Sequence, residues 1–155
     1  MLGGNQGDVY AHFSQSMRNM QPALGKITKC SKVYVTKAWG PIPQPDYLNM
    51  AIELETFLPP AYLLKQLLEL EKQFGRKRDV KFGPRTLDID ILLYGRQVIQ
   101  REGLQVPHPE IQNRRFVLVP CCDIIPGVQH PVLKTSMRGL LRICKDALEV
   151  NVWKG

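Results

Sequence analysis

Thr86-Leu87-Asp88-Ile89-Asp90-Ile91-Leu92-Leu93 is an apolar segment that carries a carboxylate at two alternate positions. In an extended chain, alternate side chains share a face. The spacing predicts a strand over 87–94, with Leu87, Ile89 and Ile91 on one side and Asp88 and Asp90 on the other. Two carboxylates on one face repel each other and lose hydration, unless the face is wet or a cation lies between them. Spacing alone leaves two readings open. One is the outer face of an edge strand. The other is a pair of hard oxygen ligands for Mg2+, which takes one or two carboxylates together with phosphate oxygens.

The stretch just before it favours the second reading. Gly75-Arg76-Lys77-Arg78-Asp79-Val80-Lys81-Phe82-Gly83-Pro84-Arg85 holds five cations and one acid, and its polarity predicts a solvent-facing loop over 75–85. Arginine presents a planar fork suited to bidentate phosphate binding. By itself such a loop reads as a solvated charge run or a nucleic-acid patch. Running into Asp88 and Asp90, it forms an arrangement for phosphoryl transfer, where catalysis is positioning plus charge neutralisation. Neither G-x-x-x-x-G-K-[ST] nor G-x-G-x-x-G occurs, which argues against a P-loop enzyme or a protein kinase.

Working outward, Phe13, Met17, Met20 and Leu24 form one stripe of a helix over 8–24. A strand is predicted over 27–36, then an irregular loop stiffened by Pro41, Pro43 and Pro45, then a strand over 47–57. Pro59 and Pro60 open a helix that runs to Phe74 and ends at Gly75. Gly95-Arg96 turns the acidic strand into a short return strand over 97–99. A turn at 106–109, one or two short helices and a last helix over 136–148 complete the chain. This alternation predicts a mixed α and β fold. At 155 residues and 44% hydrophobic content, one domain over 1–155 is expected.

Other residues suit the same chemistry. Tyr47 and Asn49 share a strand face, and a ring beside an amide is a platform for a flat heterocycle. In isolation the pair would read as a core tyrosine and a strand-end asparagine. His108 is held between Pro107 and Pro109, and Arg114 follows at phosphate-binding reach. Glu71 sits on or beside the apolar face of its helix and needs a partner, such as a loop arginine. His12 and His130 read as structural. Cys30, Cys121, Cys122 and Cys144 show no C-x-x-C spacing and are expected as buried, reduced thiols. The net charge of +7 attracts polyanions of any kind. No apolar stretch reaches membrane-span length and no secretory signal opens the chain, so a cytoplasmic location is expected.

Lys81-Phe82-Gly83-Pro84-Arg85-Thr86-Leu87-Asp88-Ile89-Asp90-Ile91-Leu92 resembles the signature of the 6-hydroxymethyl-7,8-dihydropterin pyrophosphokinase family. Four further segments resemble the family's in order: Gly4-Asn5-Gln6-Gly7-Asp8, Trp39-Gly40 through Gln44-Pro45-Asp46-Tyr47-Leu48-Asn49, Gly75-Arg76-Lys77-Arg78, and Val106-Pro107-His108-Pro109 with Asn113-Arg114 and Phe116. The resemblance covers nearly the whole chain. It implies an α+β, ferredoxin-like three-layer sandwich with a central antiparallel sheet and flanking helices. It implies transfer of a pyrophosphoryl group from ATP to the pterin alcohol, giving AMP and the pterin diphosphate in folate biosynthesis. Two Mg2+ ions would be held by Asp88 and Asp90. Tyr47 and Phe116 would sandwich the pterin, with Asn49, Thr36 and Trp39 at its edge. Arg76 and Arg85 would stabilise the moving group. Glu71, Arg78, His108 and Arg114 would serve the ATP side. The partners expected are these two small molecules, in a monomer, with no nucleic acid and no membrane.

Two departures stand out. Gly4 occupies a position where the family usually has serine. Only Met1 and Leu2 precede the opening turn, where the family has several apolar residues, so most of the first strand is expected to be missing, with reduced stability. Two other readings fit the sequence less well. A nucleic-acid module gives no reason for Asp88 and Asp90 beside an arginine loop. A non-catalytic relative should have lost an Arg or Asp, and none is lost.

Overall fold

The computed structural model describes residues 1–38, 43–75 and 83–155. Its main sheet has five strands in the order β6-β1-β4-β3-β9. These are β1 (Leu2–Gly4), β3 (Tyr34–Thr36), β4 (Tyr47–Met50), β6 (Asp88–Ile89) and β9 (Val150–Val152). Each neighbouring pair is antiparallel. Two further pairs, β2 (Lys26–Cys30) with β5 (Ile52–Glu55) and β7 (Ile99–Arg101) with β8 (Leu104–Val106), form separate ribbons. Among the described residues the helices are α1 (Val9–Leu24), α2 (Pro60–Gln73), α3 (Arg115–Ile124) and α4 (Met137–Ile143), with a 3-10 turn at Ile111–Asn113.

Period-2 alternation divides the sheet into two faces. Leu2, Leu48, Met50, Leu87, Ile89 and Ile91 pack with Phe13 and Met20 of α1 and Leu63, Leu67 and Leu70 of α2. A second cluster gathers Ala51, Ile111, Val117, Leu118, Cys121, Met137 and Leu140 around α3 and α4. α3 lies against β3, β4 and β9.

The acidic segment is shorter than expected. The predicted strand over 87–94 is regular only at Asp88–Ile89, because it has one strand neighbour, β1. On its other side the Ile89 N–H is accepted by the Glu71 side chain at 2.7 Å. The predicted return strand pairs with β8 instead, through Ile99↔Val106. The two longer predicted strands each divide at a joint. Ser31 N–H donates to the Ala51 carbonyl at 2.9 Å, and Ala51 N–H donates to Ser31 Oγ at 2.9 Å. The first strand passes from the ribbon (β2) into the main sheet (β3) at Ser31, and the second passes from the main sheet (β4) into the ribbon (β5) at Ala51. The last helix ends at Ile143, and β9, which periodicity did not show, follows it.

The first strand is present, which corrects the expectation of a sheet without it. Leu2, Gly3 and Gly4 pair with Met50, Asn49 and Leu48 on one side, and Leu2 and Gly3 with Ile89 and Asp88 on the other. Asp90 N–H also donates to the Met1 carbonyl at 2.9 Å. A side chain at Gly4 would place its Cβ 2.6 Å from the Thr86 carbonyl oxygen, so glycine lets this strand lie close to the acidic segment. The cysteines are all free, but only Cys121 is buried: Cys122 and Cys144 are half-buried, and Cys30 is exposed because β2 lies in an outer two-stranded ribbon. Burial pushes the Cys121 thiol up to about 12, leaving it unreactive.

Gly25 joins α1 to β2 at φ +137°, and a Cβ there would lie 2.1 Å from the Glu55 carbonyl oxygen. Gly25→Ala should destabilise the fold by roughly 2–3 kcal/mol. Urea denaturation checks this; a midpoint equal to that of the parent would refute it.

Candidate active site

Strand pairing puts Asp88, Gly3 and Asn49 in one row across the sheet. Gly3 is the low point of that row. A Cβ on it would lie 3.5 Å from Asn49 Oδ1 and 4.0 Å from Asp88 Cβ. Without one, the row forms the floor of a cleft of about 260 Å3. Asp88, Asp90 and Arg85 line this cleft, as do Thr36, Tyr47, Asn49, His108, Arg114 and Phe116.

The acidic pair sits as its alternation predicts, with Leu87 and Ile89 buried beneath it. Burial raises the Asp90 carboxyl above its ordinary range, and the nearby Asp88 charge raises it further, against the Met1 amino group, His108 and Arg114. Asp88 Oδ2 accepts a hydrogen bond from Arg85 Nη1. The chemistry of the pair fits a divalent cation, since two half-buried carboxylates with one raised pKa are groups that a cation would relieve. Among the described residues no group of three or more His, Cys, Asp or Glu could hold a metal alone. A cation here would therefore need further oxygens from water or a substrate.

The cationic wall comes from different elements. Arg85 is fixed through its backbone, since Asn5 Oδ1 accepts from Arg85 N–H at 2.8 Å and Asn5 N–H donates to the Arg85 carbonyl at 2.9 Å. His108 Nδ1 accepts from Glu110 N–H at 3.2 Å, which leaves Nε2–H as the donor of the neutral ring. Burial lowers the His108 pKa, Asp90 opposes that and Arg114 adds to it. The Arg114 guanidinium carbon lies 5.9 Å from the Phe116 ring centroid. One cation thus flanks an aromatic wall of the cleft.

Tyr47 and Asn49 point into the same cleft from β4. The Tyr47 hydroxyl lies 3.1 Å from Gln44 Oε1 and 3.2 Å from the Gly83 carbonyl oxygen. Burial raises its pKa, so it stays a neutral phenol. Asn49 Nδ2 donates to Thr36 Oγ1 at 3.0 Å, leaving the amide oxygen for another partner. Both groups are buried.

The model of the 7,8-dihydro-6-hydroxymethylpterin-pyrophosphokinase family matches residues 1–126. The chain is 43% identical over 153 residues to a 2-amino-4-hydroxy-6-hydroxymethyldihydropteridine pyrophosphokinase of Synechocystis sp., spanning 98% of this chain and 76% of the relative. Enzymes of the same name from Aquifex aeolicus (39% over 137 residues, 88% of this chain and 85% of the relative) and Bacillus subtilis (38% over 154 residues, 99% and 87%) are also similar. The chain belongs to this pyrophosphokinase family. A crystal structure of Plasmodium falciparum HPPK-DHPS with pteroate shares its fold, at TM-score 0.63 and 16% identity, over 91% of this chain and 41% of that one.

Against that family pattern, nine sequence-selected residues meet in one cleft. Glu71 does not line it. It is 1% exposed, and its carboxylate holds the Ile89 amide from behind the acidic strand. Its role here is to brace the strand between the two aspartates. Trp39, Arg76 and Arg78 lie outside the described residues. Several positions in or beside the cleft were not singled out as site residues from the sequence. Lys37, Val117 and Leu148 line the cleft, and Asn5 ties Arg85 to the second loop by donating to Gln44 Oε1 and the Pro45 carbonyl, each at 3.1 Å. An asparagine inside a glycine turn could have marked Asn5. Leu148 could not be marked, because the predicted helix reached it.

The raised Asp90 pKa has a stability consequence. Below its unfolded value both states hold the proton and nothing differs. As pH rises the unfolded state ionises first, so the folded state loses stability until its own, higher pKa is passed. Asp90→Asn should therefore be more stable than the parent by about 1 kcal/mol at pH 7.5 in chelator, with the gain shrinking toward pH 3.5. Denaturation curves at both pH values test this, and a less stable variant at pH 7.5 would disprove it.

Proposed function

We propose that this chain transfers the pyrophosphoryl group of ATP to the hydroxymethyl oxygen of 6-hydroxymethyl-7,8-dihydropterin, releasing AMP and the pterin diphosphate, a step of folate biosynthesis. One observation carries the reading: the acidic pair, Arg85, Arg114 and His108, and the Tyr47, Asn49, Thr36 and Phe116 set line a single cleft. Asn49 and Thr36 would read the edge of the heterocycle, whose faces would lie against Tyr47 and Phe116. Arg85, His108 and Arg114 would hold the phosphates. The pterin oxygen forms its bond to the β-phosphorus as the bond to the α-phosphate oxygen breaks; the hydroxyl proton is lost and AMP carries the leaving electron pair.

Asp88 and Asp90 would hold two Mg2+ ions, which when bound neutralise phosphate charge and lower the pKa of the attacking hydroxyl. Arg76 and Arg78 on the phosphates and Trp39 at the pterin remain part of the proposal through the motif positions they occupy. The antiparallel sheet, with α1 and α2 on one face and α3 on the other, supports a ferredoxin-like three-layer sandwich over a single domain, 1–155. A monomer acting in the cytoplasm on these two small molecules, without nucleic acid, is the corresponding reading. No helix among the described residues is long and apolar enough to cross a membrane.

AMP release from ATP and Mg2+ should depend on the dihydropterin. Release without it, or none with folded protein and both substrates, overturns the reading. Asp90→Ala should remove turnover while the fold persists; retained Mg2+-dependent turnover would exclude Asp90 as a ligand. Arg85→Ala should lower kcat roughly 100- to 1000-fold with little change in dihydropterin affinity. A normal kcat would remove Arg85 from the transferring group.

A further inference from the structure

The family match ends at residue 126, yet Leu148 lines the substrate cleft and the segment around it joins three of the cleft's walls. Asp146 is the joint. Its Oδ2 accepts the Arg115 N–H at 2.8 Å, and its Oδ1 accepts the Leu148 N–H at 3.0 Å. Arg115 opens α3, whose preceding residue, Arg114, supplies no side-chain cap. The carboxylate of Asp146, from 31 residues later, caps that helix instead. A carboxylate there also suits the positive end of the helix.

The helix so capped begins at the residues that line the cleft: Arg114, Phe116 and Val117. The same carboxylate orders the turn that puts Leu148 on the wall. Two residues on, β9 pairs with β3 in the register Thr36↔Val150, which ties the segment to the residue that accepts the Asn49 amide. Trp153 completes the attachment, with its N–H donating to the Val33 carbonyl at 2.9 Å and its ring 5.0 Å from that of Tyr10.

We infer that Asp146 is a positioning residue for the substrate cleft and that Leu148 sets the room left for the heterocycle beside Phe116. Asp146 fixes the start of α3, and so the placement of Arg114 and Phe116, relative to Leu148. The identity of the heterocycle rests on the pterin reading above; the placement by Asp146 does not.

The test therefore has a ligand-free arm and a ligand arm. In the free protein, Asp146→Ala should speed amide hydrogen exchange at Arg115 and Leu148 by at least tenfold over that of distant α1 amides. Unchanged protection at both would overturn the inference whatever the substrate is. In the ligand arm, Leu148→Ala should weaken binding of 6-hydroxymethyl-7,8-dihydropterin roughly tenfold, measured by calorimetry with Mg2+ and α,β-methylene-ATP. Affinity for the nucleotide analogue alone should stay within twofold, and Leu148→Met should restore most of the loss. A folded Leu148→Ala protein with parental dihydropterin affinity would remove Leu148 from the wall. Asp146→Ala should raise KM for both substrates more than it lowers kcat, and Asp146→Asn, which keeps one acceptor, should recover part of that. A parent protein with no dihydropterin affinity would refute the pterin reading, and the exchange result would then decide the role of Asp146 alone.

Discussion

Mutual repulsion between Asp88 and Asp90 is the constraint around which this molecule is built. Asp88 lies in a strand only two residues long at the edge of the sheet, and Asp90 directly follows it. Burial and the neighbouring charge already raise the Asp90 pKa. Ionised groups at that depth persist only with compensation. Arg85 bonds to Asp88, and His108 and Arg114 act on Asp90. The proposed cation, with the anionic phosphates it would bring, would relieve the same negative charge.

The strand that carries the pair needs support that its short ladder cannot give. The support comes from three directions. β1 pairs with it on one side, Glu71 of α2 takes the Ile89 amide on the other, and Leu87 and Ile89 are anchored in the apolar layer beneath. Glu71 thus substitutes for a missing strand, and a buried acceptor is the cheapest way to satisfy an amide where no further strand can lie. Preorganisation of this kind lets the carboxylates face the cleft without reorganising when a ligand arrives.

The site also depends on what the sheet omits. Gly3 sits between Asn49 and Asp88 and leaves the floor open, while Gly4 lets β1 approach the Thr86 backbone. The Ser31–Ala51 joint sends the far halves of both strands into a separate ribbon, so that β3 and β4 stay short and end at the cleft with Thr36 and Tyr47.

Much of the site was legible because its chemistry is local. The alternation around Asp88 and Asp90 set their common face, and period 2 placed Tyr47 and Asn49 together. Resemblance to a known family added Thr36, Trp39 and Phe116, and assigned the ATP side to Glu71, Arg78, His108 and Arg114. Strand lengths were less legible: 87–94 is apolar throughout, and nothing in it shows that its hydrogen-bonding partners run out after Ile89. The contact of Glu71 with the Ile89 amide was not legible for a related reason, since amides carry no sequence signature. β9, Leu148 and the Asp146 cap were invisible for the same cause. Sequence determined which side chains can bind phosphate, metal and a flat ring, because those capacities belong to individual residues. Tertiary structure alone decided where the chain closes on them, because caps, joints and edge pairings are made between segments far apart in the chain.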